Sequence, residues 1–172
     1  MPNTQIIWDQ ALIEKYNYSG PRYTSYPTAL EFHQEFSEAE FETACHQYPE
    51  RKLSLYVHIP FCHKLCYYCG CNKVITRHQE KADVYLDALA LEIAQRAALC
   101  GPRQVSQLHW GGGTPTFLTK EQITRLMNLL REHFDFDADA EISIEIDPRR
   151  IELDMLDHLR QEGFNRISIG VQ

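Results

Sequence analysis

The sequence has 172 residues, of which 44% are hydrophobic and 24% charged, and its formal net charge at pH 7 is −7. These proportions are typical of a soluble globular protein. The acidic balance argues against a nucleic acid or an anionic membrane surface as the main partner, and no apolar run approaches the roughly 18 residues that a membrane-spanning helix needs. Residues 1–10 lack the basic start and apolar middle of a secretory signal, so we expect a cytoplasmic protein.

The first 52 residues follow no regular hydrophobic pattern. Segment 20–28, with the sequence GPRYTSYPT, combines turn-forming residues with aromatics and predicts an ordered but irregular N-terminal arm. Whether this arm wraps the remaining chain or covers a site stays open. We assign residues 1–52 to the arm and residues 53–172 to the main domain.

Strands and helices are predicted to alternate from residue 53 onward. Period-two alternation predicts four strands, at residues 53–59, 105–110, 141–146 and 166–171. Helical periodicity predicts a helix in each interval, at residues 81–99, 119–134 and 153–163. Thr119 and Gln122 have the spacing of a capping box at the start of the second helix. Such alternation implies parallel strands joined by crossover helices, as in an α/β barrel or an open doubly wound sheet.

Each predicted strand has one apolar and one polar face, whereas strands covered by helices on both faces usually read as continuous apolar runs. The polar faces carry Tyr56, His58, Gln107, His109, Ser143, Glu145, Ser168 and Gln172. Polar side chains are costly to bury without polar partners. We therefore predict a (β/α) barrel whose lumen holds a polar cofactor or substrate, with a half-exposed antiparallel sheet as the alternative.

Four of the six cysteines crowd into one segment directly after the first strand, at Cys62, Cys66, Cys69 and Cys71. Thiols stay reduced in the cytosol, which favours metal or redox chemistry over structural disulfides. The first three have C-x3-C-x2-C spacing, and three thiolates so close can bind three corners of a cubane cluster. One iron would then stay open for a substrate to coordinate.

Other interpretations of the cysteines stay open. Cys71 or a neighbouring histidine could complete a zinc site, and Cys69 with Cys71 could form a redox pair. Cys45 and Cys100 stand apart and are interpreted as ordinary small residues.

The sequence resembles the radical S-adenosylmethionine (radical SAM) superfamily, whose C-x3-C-x2-C signature has an aromatic residue just before its last cysteine, here Tyr68. Within that superfamily it is similar to the oxygen-independent coproporphyrinogen III oxidase (dehydrogenase) family. The matching segments are YVHIPFC at 56–62, CGC at 69–71, HWGGGTP at 109–115, EIDP at 145–148 and PRYTSYPT at 21–28. The resemblance covers the whole chain.

The resemblance implies an α/β fold, namely part of a TIM-like radical SAM (β/α) barrel preceded by the irregular arm. Complete barrels of this kind supply further strand–helix units, and family chains are much longer. We therefore expect an N-terminal portion, truncated in the fourth strand, that is poorly stable and inactive on its own.

The resemblance also implies the cofactors and their ligands. Cys62, Cys66 and Cys69 would bind a [4Fe-4S] cluster, and its open iron would chelate one SAM. Further contacts to this SAM are implied for Tyr56, Gly112, Gly113, Thr114 and Glu145. A second SAM is implied, with candidate contacts from Tyr68, Gly113, Thr114 and Gln172.

The implied reaction is the oxidative decarboxylation of two propionate side chains of coproporphyrinogen III to vinyl groups, giving protoporphyrinogen IX in anaerobic heme biosynthesis. The reduced cluster would cleave SAM, a flavodoxin- or ferredoxin-type protein would supply electrons, and no protein general base is assigned. The full-length enzyme is expected to be monomeric, without nucleic-acid or membrane partners. We hypothesise that Arg22 pairs with a propionate. A heme-trafficking relative and a non-catalytic zinc-binding module are the alternatives.

Overall fold

The computed structural model describes residues 8–17 and 31–170. The chain divides into two compact units, Met1–Ser37 and Glu38–Gln172. Arg22 and Gln172 lie outside the described residues, so the roles expected for them stay predictions. The predicted boundary at residue 52 also stays a prediction.

The first unit contains one described helix, α1 (Gln10–Tyr16). It begins at Asp9, whose carboxylate accepts a hydrogen bond from the backbone N–H of Leu12 at 2.9 Å. Such a cap satisfies one of the backbone donors that the first turn of a helix leaves without a partner.

The second unit is built on a parallel sheet. Its elements in chain order are α2 (Glu38–His46), β1 (Leu53–Ile59), β2 (Phe61–Cys62), β3 (Val74–Ile75), α3 (Lys81–Cys100), β4 (Gln104–Gly112), α4 (Lys120–His133), β5 (Asp135–Ile146), α5 (Leu153–Gln161) and β6 (Arg166–Ile169). The main sheet has the order β1-β4-β5-β6, and each neighbouring pair is parallel. Strands β2 and β3 form a separate two-stranded parallel pair. The predicted α/β architecture, with parallel strands alternating with helices, is confirmed.

All four predicted strands and all three predicted helices are present in this unit. Strand β5 begins at Asp135, six residues before the predicted start at 141, because its first residues pair with the start of β4. Residues 135–140 read DFDADA, and aspartate and alanine are uncommon in strands, so the sequence alone argued against this extension. Helices α1 and α2 and the β2–β3 pair were not predicted.

One face of the main sheet packs against helices and forms the core. Its central residues are Val57 and Ile59 from β1, Leu108 and Trp110 from β4, Ile144 from β5, Leu86 and Ile93 from α3, and Ile123, Leu126, Met127 and Leu130 from α4. Burial of such side chains contributes roughly 1.5–3 kcal/mol each. The opposite face carries Tyr56 and Glu145, which are not buried. Within residues 8–17 and 31–170, no helix has both the length and the apolarity of a membrane span.

Candidate functional site

A cavity of about 990 Å³ lies at the carboxyl ends of the sheet strands. It is lined by the loop after β2, by the end of β4 with the residues that follow it, and by the segments after β5 and β6. Parallel α/β sheets place their ligand and active sites at this edge, because successive loops converge there.

The loop of residues 63–73, here called the cysteine loop, is closed at its base by the short β2–β3 pair. The N–H of Val74 donates to the carbonyl oxygen of Pro60 at 2.7 Å, and the N–H of Thr76 donates to that of Cys62 at 3.0 Å. These bonds fix the two ends of the loop next to each other. The loop therefore leaves the β2–β3 pair and returns to it at the same place.

The three cysteines of the C-x3-C-x2-C signature all line this cavity. Cys62 is buried, Cys66 and Cys69 are half-buried, and all three are free thiols. Burial raises the pKa of the Cys62 thiol, and a hydrogen bond from the Thr114 hydroxyl, with Oγ1 and Sγ 3.7 Å apart, opposes this rise. The arrangement thus offers three soft sulfur donors, one from the end of β2 and two from the cysteine loop.

These thiols fit an iron–sulfur cluster by the chemistry of the donor set. Cysteine thiolates are the usual ligands of such clusters. In the described part of the chain, no three His, Cys, Asp or Glu side chains converge as they would on a single metal ion. A [4Fe-4S] cluster is several ångströms across, so its ligand sulfurs lie further apart than those that bind a single zinc ion.

Cys71 is exposed, lines the same cavity and contacts Cys69. Its backbone N–H hydrogen-bonds to Cys69 and lowers the pKa of the Cys69 thiol, whereas the side-chain bond between the two raises the pKa of Cys71. The Lys73 ammonium donates to the carbonyl oxygens of Cys69 and Cys71, at 2.9 and 3.2 Å. Of the two thiols, Cys69 is therefore the better thiolate donor.

Gly112 at the end of β4 and Gly113 just after it bring backbone directly against His58 and Cys62, at the base of the cysteine loop. Gly112 has a φ of +114°, and a Cβ at this position would lie 2.6 Å from the His58 ring. A Cβ on Gly113 would lie 2.8 Å from the Cys62 Sγ and equally close to two carbonyl oxygens. Only glycine fits at these two positions, so the space beside Cys62 stays free of other side chains.

A polar wall next to the cavity is formed by side chains from three neighbouring strands. The His109 ring lies 2.7 Å from the Ser143 Oγ through Nδ1 and 3.4 Å from the Glu145 carboxylate through Nε2. Tyr56 stacks on His109 with ring centroids 6.0 Å apart, and its hydroxyl lies 3.1 Å from the His58 Nδ1. This network holds the half-exposed Glu145 carboxylate at the cavity edge.

The structure brings most of the predicted site residues together. Cys62, Cys66, Tyr68, Cys69, Gly112, Gly113, Thr114 and Glu145 all line the one cavity. Tyr56 is outside the lining but lies next to Glu145, since a Cβ on Gly111 would meet the Tyr56 ring at 3.1 Å and the Glu145 carboxylate at 3.2 Å. Gln172 falls outside the described residues.

An ion pair in the cavity wall was missed by the sequence analysis. The Arg149 guanidinium donates to both carboxylate oxygens of Asp147, at 2.8 and 2.7 Å, and is also hydrogen-bonded to Cys66. This contact lowers the pKa of Asp147 and raises the pKa of Arg149. The signal was the sequence Asp-Pro-Arg directly after the third predicted strand, which places a cation at the carboxyl edge of the sheet.

Comparison with known proteins agrees with this geometry. The model of the radical SAM superfamily matches residues 56–172. The oxygen-independent coproporphyrinogen III oxidase of Salmonella typhimurium (strain LT2) is 72% identical over 172 residues, which are 100% of this chain and 38% of that protein. The protein of the same name from Mannheimia haemolytica is 64% identical over 145 residues, 84% of this chain and 99% of that protein.

A solved structure is similar as well. It is the coproporphyrinogen III oxidase of Escherichia coli, described as a radical SAM enzyme, with 70% sequence identity and a TM-score of 0.86. The match covers 98% of this chain and 37% of that one.

The parallel sheet, the C-x3-C-x2-C cysteines at its carboxyl edge and the superfamily match define a radical SAM protein, a class that carries a [4Fe-4S] cluster and SAM. More narrowly, the chain belongs to the oxygen-independent coproporphyrinogen III oxidase family. It spans 38% of the length of the Salmonella relative.

Proposed function

We propose that the protein acts in the oxidative decarboxylation of two propionate side chains of coproporphyrinogen III, giving protoporphyrinogen IX in anaerobic heme biosynthesis. The observation that carries this proposal is the single cavity shared by the three cysteines, the glycine stretch and Glu145. The names of relatives that are 72% and 74% identical support the choice of substrate.

Cys62, Cys66 and Cys69 are proposed to hold the [4Fe-4S] cluster. When bound, the cluster and SAM supply the one-electron chemistry that removes a hydrogen atom from the substrate. The Cys62 thiol must give up its proton on binding, and burial opposes this loss, since it raises the pKa of that thiol. Thr114 assists by donating a hydrogen bond to the same sulfur.

The remaining side chains of the cavity are proposed to bind and orient SAM. Glu145 offers a half-exposed carboxylate to a cationic amino group, and Tyr56 limits the space beside it. Gly112 and Gly113 let a ligand approach the backbone next to Cys62. Tyr68, Gly113 and Thr114, together with Gln172, are proposed to contact a second SAM.

The substrate carries carboxylates, so cationic partners are needed, and Arg22 in the arm is proposed as one of them. A flavodoxin- or ferredoxin-type protein is proposed as the electron donor. We also propose that the complete enzyme works as a cytoplasmic monomer. These proposals are drawn from the sequence resemblance.

The function is tested on the complete gene product, reconstituted anaerobically with iron and sulfide. We expect about four irons and as many sulfides per chain, and release of CO2 with formation of the vinyl product from coproporphyrinogen III. Cys66→Ser should lose both the cluster and turnover. Cys71→Ser is the matched control, which removes a thiol of the same segment and should keep the cluster.

Two outcomes would contradict the proposal. One zinc per chain without sulfide would indicate a zinc-binding module. An intact cluster with heme binding but no CO2 from coproporphyrinogen III would indicate a heme-trafficking protein.

A further inference from the structure

Two cysteines outside the cavity contact each other. Cys45 lies on α2 and Cys100 is the last residue of α3, 55 positions further along the chain. Both are free and half-buried, and their side chains are hydrogen-bonded to each other. The proposed cluster site uses neither of them, and their distant positions in the sequence do not predict a pairing.

The contact between the thiols is flanked by hydrogen bonds from side chains to backbone carbonyl oxygens. The ring Nε2 of His46, the residue after Cys45, lies 2.9 Å from the carbonyl oxygen of Leu99, the residue before Cys100. The Arg103 guanidinium donates to the carbonyl oxygens of Cys100 at 3.2 Å and Tyr48 at 3.1 Å. The ends of α2 and α3 are therefore held together at this point by groups other than sulfur.

A further contact fixes α2 along its length. The Arg96 guanidinium of α3 lies over the Phe41 ring of α2, 4.6 Å from the ring centroid. Cation–π contacts of this kind contribute roughly 0.5–1 kcal/mol at exposed sites. The approach of Cys45 to Cys100 is thus set by the packing of two helices.

The electrostatic surroundings of Cys45 favour its protonated thiol. Burial raises the pKa of the Cys45 thiol, and the neighbouring Cys100 acts in the same direction, whereas Arg103 and Arg96 oppose the rise. The Cys45 thiol therefore rests protonated, and the two guanidinium groups would stabilise its thiolate once it forms.

We propose that Cys45 and Cys100 form a redox-sensitive pair that closes to a disulfide when the protein meets a small-molecule disulfide such as oxidised glutathione. One thiolate attacks a sulfur of the oxidant, forms a mixed disulfide and releases one glutathione thiolate. The second thiolate then attacks the protein-bound sulfur, closes the cross-link and releases the second glutathione. Two electrons pass to the oxidant, and the two thiol protons end on the two glutathiones.

The cross-link would close a loop that contains β1, the cysteine loop and α3. Disulfides that close long loops stabilise mainly by restricting the unfolded chain. Once Cys45 and Cys100 are joined to each other, neither thiol can form a disulfide with Cys62, Cys66 or Cys69. This property is independent of the proposed decarboxylation.

The test uses the complete gene product, purified under reducing conditions and then exposed anaerobically to oxidised glutathione. Alkylation, proteolysis without reduction and mass spectrometry should show a peptide pair joined through Cys45 and Cys100, which disappears after reduction. The melting temperature of the oxidised protein should exceed that of the reduced protein by roughly 5 °C or more.

Three variants complete the experiment. Cys45→Ser should abolish the increase in melting temperature and leave Cys100 as a glutathione adduct. Cys100→Ser should give the mirror result, and the control Cys71→Ser should keep both the cross-link and the increase. The proposal fails if Cys45 and Cys100 of the wild-type protein stay alkylatable after oxidation, or if either is joined to another cysteine instead; this readout needs no variant to fold.

Discussion

Gly113 follows β4 and packs directly against Cys62 and the backbone just before the cysteine loop. We expect Gly113→Ala to lower the iron and sulfide bound after anaerobic reconstitution at least tenfold, because its Cβ would lie 2.8 Å from the Cys62 Sγ and from two backbone oxygens. Gly70→Ala, within the cysteine loop, is the control, since a Cβ there meets nothing within 4 Å. Equal iron contents in the two variants would show that the close approach of Gly113 is unimportant for the cluster.

The Asp147–Arg149 pair makes a pH-dependent contribution to stability. The pKa of Asp147 is lowered in the folded protein, so the contribution is present above the unfolded pKa of about 3.9 and is lost as the pH falls through the folded pKa. Because Arg149 is 57% exposed, we expect Asp147→Asn to reduce the free energy of unfolding at pH 7 by only about 0.5–1 kcal/mol.

Urea unfolding of wild type and Asp147→Asn between pH 3 and pH 7 measures this contribution. The difference in unfolding free energy between wild type and Asp147→Asn should be constant above about pH 5 and shrink below about pH 4. Asp154→Asn is the control, because Asp154 pairs with Lys120 but is 71% exposed, and its effect should be smaller. A difference in unfolding free energy that grew as the pH fell would contradict a stabilising Asp147–Arg149 pair.

At the scale of single elements, the start of α4 is fixed by a complete capping box. The Thr119 hydroxyl accepts from the N–H of Gln122, and the Gln122 side chain accepts from the N–H of Thr119. We expect Thr119→Ala to reduce the free energy of unfolding by about 1 kcal/mol. Thr43→Ala, which removes an exposed mid-helix hydroxyl from α2, should change it by less than half as much; equal urea midpoints for the two variants would contradict the capping role.

Elements with a strong local pattern were predictable from the sequence. The bounds of β1 match the prediction at both ends, and the capping box of α4 is present as predicted. Strand β4 continues to Gly112, beyond the predicted end at Trp110, because Gly111 and Gly112 pair with the last residues of β1. Glycines that signal a turn locally are here still paired with a neighbouring strand.

Features that depend on packing could not be predicted in this way. The β2–β3 pair has two residues in each strand, too few to show any periodicity. The contact of Cys45 with Cys100 joins positions far apart in the sequence, and it depends on where α2 packs. The grouping of Cys62, Cys66 and Cys69 was predictable because their spacing is local, whereas the contact of Arg149 with Cys66 depends on how the loops are arranged around the cavity.

At the scale of the whole molecule, the described part of the main sheet has a strand at each end, β1 and β6, that pairs on one side only. Ile169 of β6 is 60% exposed, and apolar edge strands pair readily with other chains. We expect the 172-residue chain, produced alone, to self-associate and to show no turnover of coproporphyrinogen III. Sedimentation and activity measurements test this, and a monomeric chain with cooperative melting and turnover would refute it.

The β2–β3 pair at the base of the cysteine loop bears on the order of assembly. Its backbone bonds join the residues before and after the loop without involving any side chain that would bind iron. We therefore expect the sheet to fold around an empty loop, and cofactor insertion to be a late step that reorganises residues 63–73 beside Cys62 and leaves the core as it was. Losing the cluster should accordingly increase amide hydrogen exchange within those residues and leave β1, β4 and β5 protected, so that a damaged centre can be rebuilt on a scaffold that never unfolded.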